Sequence, residues 1–534
     1  MKLKNLLIVV LFIASNTFSQ ENKKVLFSID GEPFYTSEFL NVYKKNLNLV
    51  VDSEVDKENY LKLFINYKLK VKEAKSIGLD TLKKYKKELK KYKNNLISPY
   101  LQDKEVTKKL VNEAYERLKN EVNVNHILIF LKPSAPPRDT LAAYNKLIKA
   151  RNLIVRGSKF EEIAKIYSND PTVEQNGGSI GYFTVLQMVY PFENVAFTTP
   201  VNEISMPFRT KFGYHILKVN AKRKSKGKVE VAHFMLKNDG LTAKKRIDSV
   251  YGLLNNKIAS FSNLAKKLSE DSASAINGGK LKKMGVGQMI EKFSNIAFSL
   301  KNEGDISKPF KTKLGWHIIK LTKKYPIESF EKIEEKLTRE VEKDVRSNLS
   351  RKSVIDKLLK QYKISVNEQS LQQFELENWK KNPEKFLDVL LSINDKKIGQ
   401  KKFINYLKTG TNKIVKQAFP DFIEEEVLDY YKEYIEFSNV EFAVAFNEFK
   451  EGLLLFDLLE KQVWEKATEN IGLLNYFRVN KEKKYYSKEL KSIKGTVISD
   501  YQNYLELVFV KQLRKKYEVK INKSELKRIK KLNL

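Results

Sequence analysis

The nonapeptide KFGYHILKV at residues 211–219 returns as KLGWHIIKL at residues 313–321. These two segments hold two of the four histidines in the 534-residue chain. The other two lie in VNVNHILIF at 122–130 and VEVAHFML at 229–236, which also correspond to each other. A lone histidine usually has a structural role, but four histidines at matched positions indicate a duplicated site.

The repeat extends well beyond the histidines. Residues 160–197, FEEIAKIYSNDPTVEQNGGSIGYFTVLQMVYPFENVAF, align without a gap with residues 261–298. The offset of 101 becomes 102 after one inserted residue near Gly304. Self-similarity at a fixed offset indicates a repeated structural unit. The sequence therefore predicts two tandem domains, at 119–224 and 225–325.

The pattern inside each repeat predicts an α+β domain with a small antiparallel sheet surrounded by helices. Val122, Val124 and His126 share one face of a period-two strand, and the second repeat keeps this phase. Residues 160–167 show helical spacing of apolar side chains, whereas the paired glycines at 177–178 mark a sharp turn. The closing runs YHILKV and WHIIKL are rich in β-branched and aromatic residues, as strands are.

The segments that flank the repeats are predicted to be mainly helical. Residues 20–118 open with the strand-like run VLFSIDGEPF and continue with apolar residues at helical spacing. An apolar stripe predicts one long helix over 326–365, and the remainder, 366–534, is expected to be helical. Residues 390–410 echo residues 26–46 at a constant offset of 364. This match predicts related helical elements in the two flanking regions, and whether they pack together as one module around the repeats is left open.

The amino terminus has the pattern of a secretory signal peptide. Lys2 and Lys4 precede an apolar run, and small residues follow up to Ser19. A buried helix is the rival interpretation, but a cationic start followed by small residues is unusual for one. The chain has no cysteine, so an oxidising compartment would not affect it. These features predict export of residues 20–534 to the periplasm or beyond as a soluble protein.

The formal net charge of +34 raises nucleic acid as a partner. Export argues against nucleic acid, and the lysines are spread along helical segments such as 83–93. A solvated helix surface is the simplest interpretation of the charge. Attraction to acidic client proteins or peripheral contact with an anionic membrane surface is the alternative.

A metal site is a weak explanation for the histidines. Each repeat offers two of them, without cysteine and without the H-x-x-x-H spacing of a helical zinc site. We therefore expect no metal and no other cofactor.

Several motifs occur in both repeats in the same order. In the first repeat they read His-Ile-Leu on a strand, YSNDP, GGSIGYF, QMVYPFE and FRTKFGYHI. This order resembles the parvulin (PpiC-type) peptidyl-prolyl cis-trans isomerase domain. The resemblance covers 122–223 and, nearly as fully, 229–325. With a signal peptide and helical flanks, the whole chain resembles the SurA-like periplasmic chaperone isomerases, although the part beyond about residue 365 is less familiar.

The resemblance implies a set of site residues in each repeat. The paired histidines and their polar partners fall on His126, Asp170, Thr210 and His215 in the first repeat, and on His233, Asp271, Thr312 and His317 in the second. The apolar proline pocket falls on Ile180, Met188, Phe192 and Phe212, and on Leu281, Met289, Phe293 and Leu314. On spacing alone, Met188 and Phe192 would be core residues at i, i+4 of a helix.

The implied function is isomerisation of X-Pro bonds in unfolded outer-membrane or secreted proteins, together with a chaperone role for the helical regions. Such rotation breaks no covalent bond, so an apolar cup and a polar group beside the amide suffice. Lys282 and Met284 replace Gly181 and Phe183 in the second repeat, which leaves its activity open. The alternative function is a non-catalytic peptide-binding protein that uses both parvulin folds as scaffolds.

Overall fold

A computed structural model describes residues 24–46, 54–237, 240–409, 414–486 and 488–532. The predicted signal peptide lies outside the described residues. The chain forms two compact units, which we call the terminal unit (Met1–Pro99 with Lys432–Leu534) and the central unit (Tyr100–Tyr431). In the described part of the chain, no helix is long and apolar enough to span a membrane.

Strands and helices are numbered in chain order. The strands are β1 (Val25–Ile29), β2 (Glu32–Tyr35), β3 (Asn120–Phe130), β4 (Ser179–Phe183), β5 (Phe208–Thr210), β6 (Gly213–Lys224), β7 (Lys228–Leu236), β8 (Phe310–Thr312), β9 (Gly315–Tyr325), β10 (Ile364–Val366), β11 (Val389–Ile393), β12 (Lys396–Gly399) and β13 (Val519–Ile521). The helices up to the second repeat are α1 (Thr36–Lys45), α2 (Glu54–Ser76), α3 (Lys83–Ile97), α4 (Lys104–Leu118), α5 (Pro137–Val155), α6 (Phe160–Tyr167), α7 (Val173–Asn176) and α8 (Tyr190–Thr198). Those that follow are α9 (Leu241–Asn255), α10 (Phe261–Leu268), α11 (Ser272–Ala275), α12 (Glu291–Ser299), α13 (Phe330–Lys343), α14 (Ser347–Gln361), α15 (Glu368–Leu376), α16 (Gln400–Lys408), α17 (Val415–Ser438), α18 (Val440–Leu459), α19 (Glu465–Thr468), α20 (Asn470–Asn480), α21 (Leu490–Lys516) and α22 (Lys523–Lys530).

Each repeat has a small antiparallel sheet with helices on its faces, as the sequence predicts. In the first repeat the strand order is β4-β3-β6-β5, and β3 pairs with β6 along its whole length. In the second repeat the order is β7-β9-β8. Leu128 faces His215 across the first ladder, and Met235 faces His317 across the second. The repeated histidines therefore occupy matching register positions.

The two sheets differ at one edge. In the first repeat β4 adds a fourth strand beside β3, whereas the matching segment of the second repeat makes only the isolated bridges Val229↔Met284 and Ala232↔Lys280. Gly181, within β4, has a φ of +75°. That conformation is strained for Lys282, which replaces it. Met284 is buried in the core as Phe183 is, so the replacement changes the edge more than the core.

The predicted long helix over residues 326–365 is wrong. The segment forms two helices, α13 and α14, separated by an extended residue, Asp344, with ψ of 154°. Val345 and Leu349, which continue the apolar stripe, are 50% and 48% exposed. Arg346 is instead the residue that is fully buried at the break, where it contacts Glu193. The helix is interrupted where this guanidinium is buried, although the apolar pattern of the sequence continues through the break.

The echo between residues 26–46 and 390–410 is a duplicated structural element. Strands β1 and β2 with helix α1 match β11 and β12 with α16 at the offset of 364. Each hairpin gains a third strand, β13 in the terminal unit and β10 in the central unit, with the sheet orders β13-β1-β2 and β10-β11-β12. Each element combines a helix with a β-hairpin, so the prediction of helical elements is only half right; β13 completes the hairpin at 26–46, and β10 completes the one at 390–410.

The two copies share individual hydrogen bonds. Asp30 and Asn394 occupy the hairpin turns with φ of 50° and 49°, and each side chain accepts a hydrogen bond from the main-chain N–H of the residue preceding the third strand, at 2.8 and 3.0 Å. After the third strand, Asn522 and Asn367 cap the N-termini of α22 and α15 in the same way. The 366–534 segment, expected to be helical, thus contains β-strands in both units.

Candidate functional site

The first repeat brings His126 and Asp170 together beside its sheet. His126 lies on β3, and Asp170 lies in the loop after α6. His126 Nε2 is 2.7 Å from Asp170 Oδ2. Asp170 Oδ1 accepts hydrogen bonds from the main-chain N–H and the hydroxyl of Thr172, at 2.8 and 2.7 Å. The carboxylate is thus fixed on both oxygens.

Both partners of this pair have shifted pKa values. Burial lowers the pKa of His126, and the hydrogen bond with Asp170 opposes that shift without reversing it. Burial alone would raise the pKa of Asp170, but hydrogen bonds from Thr172 and His126 outweigh it and lower that pKa. The pair therefore consists of a carboxylate and a neutral imidazole at neutral pH.

The second histidine of the repeat has a separate partner. Thr210 Oγ1, on β5, lies 2.8 Å from His215 Nε2 on β6 and accepts a hydrogen bond from the N–H of Phe212 at 3.1 Å. Burial lowers the pKa of His215 to about 3. The rings of His126 and His215 are stacked, with centroids 5.8 Å apart. The site thus contains two neutral imidazoles, each hydrogen-bonded to a different side chain.

Aromatic rings form the floor of the site. The Phe192 ring, on α8, meets the His126 and His215 rings edge-on at centroid distances of 5.7 and 5.6 Å. Partly buried Ile180 and Met188 pack against the same cluster. Phe212 is 47% exposed, so it lies at the margin of the site. The residues implied by the sequence are therefore brought together around an apolar surface beside Asp170.

The second repeat reproduces this arrangement. His233 Nε2 is 2.6 Å from Asp271 Oδ2, and His317 Nε2 is 2.7 Å from Thr312 Oγ1. Burial lowers the pKa of His317 to about 4. Burial would raise the pKa of Asp271, but hydrogen bonds from Ser274 and His233 lower it.

The apolar groups of the second repeat also correspond to those of the first. The Phe293 ring meets the rings of His233 and His317 at 5.8 and 5.9 Å. Leu281 packs in the adjoining core cluster, Met289 is 37% exposed, and Leu314 is 61% exposed. Both sites therefore have the same kinds of groups in the same places.

A glycine-containing turn packs against the backbone of the first histidine in each site and fixes its position. A Cβ at Gly178 would lie 2.4 Å from the carbonyl oxygen of His126, and one at Gly279 would lie 2.3 Å from that of His233. The main-chain N–H of each histidine donates to the carbonyl of the same glycine, at 2.8 and 2.7 Å. The second glycine of each pair is thus required by the close approach of two backbones.

Sequence reasoning missed several residues of the sites. The Phe208 ring stacks on His215 at 5.5 Å, and the Phe310 ring stacks on His317 at 5.3 Å. Both are two residues before a site threonine, so strand alternation in the repeat could have identified them. Thr172 and Ser274, which hold the carboxylates, lie at different positions of the repeat, so comparing the two copies could not identify them.

Comparison with known proteins identifies the repeats. Residues 108–223 and 229–323 match family models described as the PPIC-type PPIASE domain. The two repeats are PPIC-type peptidyl-prolyl isomerase domains. The assignment made from the sequence motifs is confirmed, and we call the repeats isomerase domains 1 and 2. Within the described residues, no group of three or more His, Asp or Glu side chains comes together as a metal site would require.

Curated proteins that match part of the chain are named as a chaperone and a foldase. Chaperone SurA of Nitrosococcus oceani is 27% identical over 266 residues, which are 48% of this chain and 60% of that protein. Foldase protein PrsA of Geobacillus kaustophilus is 35% identical over 156 residues, covering 28% of this chain and 51% of that protein. The solved structure of PrsA from Bacillus anthracis is 27% identical, covers 25% of this chain and 60% of that chain, and has a TM-score of 0.19.

The chain thus spans 60% or less of the length of the relatives it matches. With its two PPIC-type domains in tandem, the chain is similar to chaperone SurA over about half of its length.

Proposed function

We propose that the chain catalyses cis-trans isomerisation of X-Pro peptide bonds in unfolded polypeptides. The observation that carries this proposal is the pairing, in each isomerase domain, of an aromatic apolar surface with a fixed carboxylate. Rotation about a peptide bond has a barrier of about 18–20 kcal/mol and needs no nucleophile or cofactor. A site that stabilises the twisted amide more than the planar one is sufficient.

The apolar surface binds the prolyl ring. In isomerase domain 1, partly buried Ile180 and Met188 border the surface, buried Phe192 supports them from the core, and half-exposed Phe212 is available to contact a flanking residue of the peptide. In isomerase domain 2, Leu281, Met289 and Leu314 have the corresponding places, and fully buried Phe293 supports them from the core. Holding the ring in place leaves the acyl side of the X-Pro bond free to rotate.

The carboxylate acts on the amide electrostatically. Planar resonance places negative charge on the carbonyl oxygen, so a nearby negative charge makes the planar state less favourable relative to the twisted one. Asp170 and Asp271 are ionised at neutral pH because hydrogen bonds lower the pKa of each. These two residues are our candidates for that role.

The histidines shape the site and do not transfer protons. Burial lowers the pKa of His215 to about 3 and that of His317 to about 4, so both rings are neutral at the pH of the cell envelope. With Thr210 and Thr312 they fix the closing strands against the strands that carry His126 and His233.

A chaperone role accompanies the isomerase activity in our proposal. Its support is the similarity to proteins named chaperone and foldase, together with two helix-rich segments that catalysis does not require. We propose periplasmic localisation and unfolded outer-membrane or secreted proteins as clients. The net charge of +34 favours acidic client segments and brief contact with anionic membrane surfaces.

The two activities can be tested separately in the full chain. We expect it to accelerate isomerisation of a proline tetrapeptide, and Met188→Ala to reduce the contribution of isomerase domain 1. Met289→Ala is the matched change in isomerase domain 2, and no effect there would mean that this domain binds peptide without turnover. Suppression of aggregation of an unfolded outer-membrane protein should survive both changes. A chain with no isomerase activity that still prevents aggregation would support the scaffold function instead.

A further inference from the structure

Glu193 follows the pocket residue Phe192 on α8, and its side chain is completely buried. Glu193 Oε1 accepts a hydrogen bond from Arg117 Nη1 at 2.9 Å. Glu193 Oε2 accepts one from Arg346 Nη2 at 2.8 Å and one from the main-chain N–H of Leu186 at 2.7 Å. A buried carboxylate is tolerated only when it is paired and hydrogen-bonded in this way.

Both arginines come from helical segments outside the catalytic sheet. Arg117 belongs to α4, which precedes β3, and its side chain is 8% exposed. Arg346 lies at the break between α13 and α14 and is fully buried, with its Nε donating to Asp344 Oδ1 at 2.8 Å. The two guanidinium groups lie 5.6 and 4.7 Å from the centre of the Tyr190 ring. The pairing thus connects three chain segments at one buried point.

The groups held by Glu193 are those that carry the proline pocket. Its carboxylate fixes Leu186, which has a φ of +63° and lies two residues before Met188. Its own backbone adjoins Phe192, whose ring touches both histidines. A shift of this carboxylate would therefore move both apolar sides of the pocket together.

We propose that Glu193 is a positioning residue of isomerase domain 1, and that this domain is fully active only while Arg346 neutralises it. The proposal rests on the isomerase activity proposed above. It makes the helical segment after isomerase domain 2 part of the working machinery of isomerase domain 1. The activity of isomerase domain 1 then depends on a contact with the helical segment that carries Arg346.

Isomerase domain 2 lacks this dependence. The position equivalent to Glu193 is Ser294, whose hydroxyl donates to the carbonyl oxygen of Met289 at 3.4 Å. A neutral hydroxyl needs no arginine, so the pocket of isomerase domain 2 is held by its own loop. The two copies therefore differ in two ways. Lys282 replaces Gly181 at the sheet edge, and different contacts hold the two pockets in place.

The test uses the full chain carrying Asp271→Ala, so that isomerase domain 1 alone reports. We expect Arg346→Met to lower kcat/KM for a proline tetrapeptide about tenfold, the scale of effect of a displaced pocket. Arg346→Lys should recover part of the loss. The pair Glu193→Gln with Arg346→Met should return to within about threefold of the parent, because the neutral amide needs no cation and its single oxygen accepts from Leu186. Arg117 keeps Glu113 and Asn194 as partners, at 3.0 and 2.6 Å.

A matched control separates positioning from general destabilisation. Arg223 pairs with Glu121 at 2.7 Å, and Glu121 is 1% exposed, but this pair lies at the far end of β3 from His126. Arg223→Met also leaves a buried carboxylate without its arginine, and we expect it to lower the unfolding midpoint while kcat/KM stays within twofold of the parent.

Four outcomes would decide the question. Unchanged kcat/KM in Arg346→Met would overturn the proposal, and so would a Glu193→Gln, Arg346→Met chain no better than the single variant. Should Arg346→Met fail to fold, the neutral double variant still tests the idea, because a tenfold loss there contradicts it. An inactive Asp271→Ala parent would instead count against isomerase activity in domain 1.

Discussion

Replacing Thr210 by valine removes one hydroxyl from isomerase domain 1 with almost no change in shape. Thr210 is 4% exposed, and its oxygen is the partner of His215 Nε2 at 2.8 Å. His215 Nδ1 is buried without a hydrogen-bond partner. Thr210→Val would therefore leave the imidazole with no partner on either nitrogen. A buried polar atom that loses its partner costs about 1–3 kcal/mol, so we expect a loss of about 2 kcal/mol in the free energy of opening the sheet.

Hydrogen exchange of the β3 and β6 amides, followed by mass spectrometry, measures this free energy within one domain of a multidomain chain. Thr210→Ser is the matched control, because it keeps the hydroxyl and loses one methyl group, at about 0.8 kcal/mol. Thr312→Val should act in the same way on β7 and β9, and leave β3 unaffected. Equally slow exchange of the β3 and β6 amides in Thr210→Val and Thr210→Ser would contradict this prediction.

Two further predictions concern acid stability and the duplicated strand modules. Burial lowers the pKa of His215 to about 3, whereas a histidine in the unfolded chain has a pKa of about 6.5. Between these values only the unfolded chain binds the proton, so stability should fall on acidification from pH 6.5 to 5 by about 1.4 kcal/mol per pH unit. His215→Gln should reduce that slope in urea titrations, and an unchanged slope would count against a buried neutral ring. Asn522→Ala and Asn367→Ala each remove the same helix cap and should each destabilise their own unit by about 1 kcal/mol, seen as faster exchange in β13 and β10 respectively. Unchanged exchange in β13 or β10 after loss of its own cap would contradict this prediction.

Much of the catalytic fold could be predicted because duplication acts as an internal control. His126, His215, His233 and His317 stand out since chance rarely places every histidine at matched positions. The alternation of apolar residues gave the strands, and the gapless alignment gave the domain order. The replacement of Gly181 by Lys282 marked a difference between the copies, but the missing edge strand of the second sheet became visible only in the structure.

The features that the sequence did not predict depend on tertiary contacts between distant residues. The apolar stripe through Val345 and Leu349 satisfies helical periodicity, but burial of Arg346 against Glu193 breaks the helix there. No local pattern shows that a basic residue will be fully buried, because its partner lies 153 positions away. The pairing of β1 with β13 could not be predicted either, because β13 is only three residues long and lies far from β1 in the sequence.

The central claim is that two fixed carboxylates, one in each isomerase domain, drive X-Pro isomerisation. The most direct measurement is the rate of cis-trans isomerisation of a proline tetrapeptide with the full chain, with Asp170→Ala, with Asp271→Ala and with both changes together. We predict acceleration by the full chain, about a tenfold or greater loss of the contribution of each altered domain, and about a tenfold or greater loss of the whole acceleration in the double variant. A double variant as active as the unaltered chain would contradict the account.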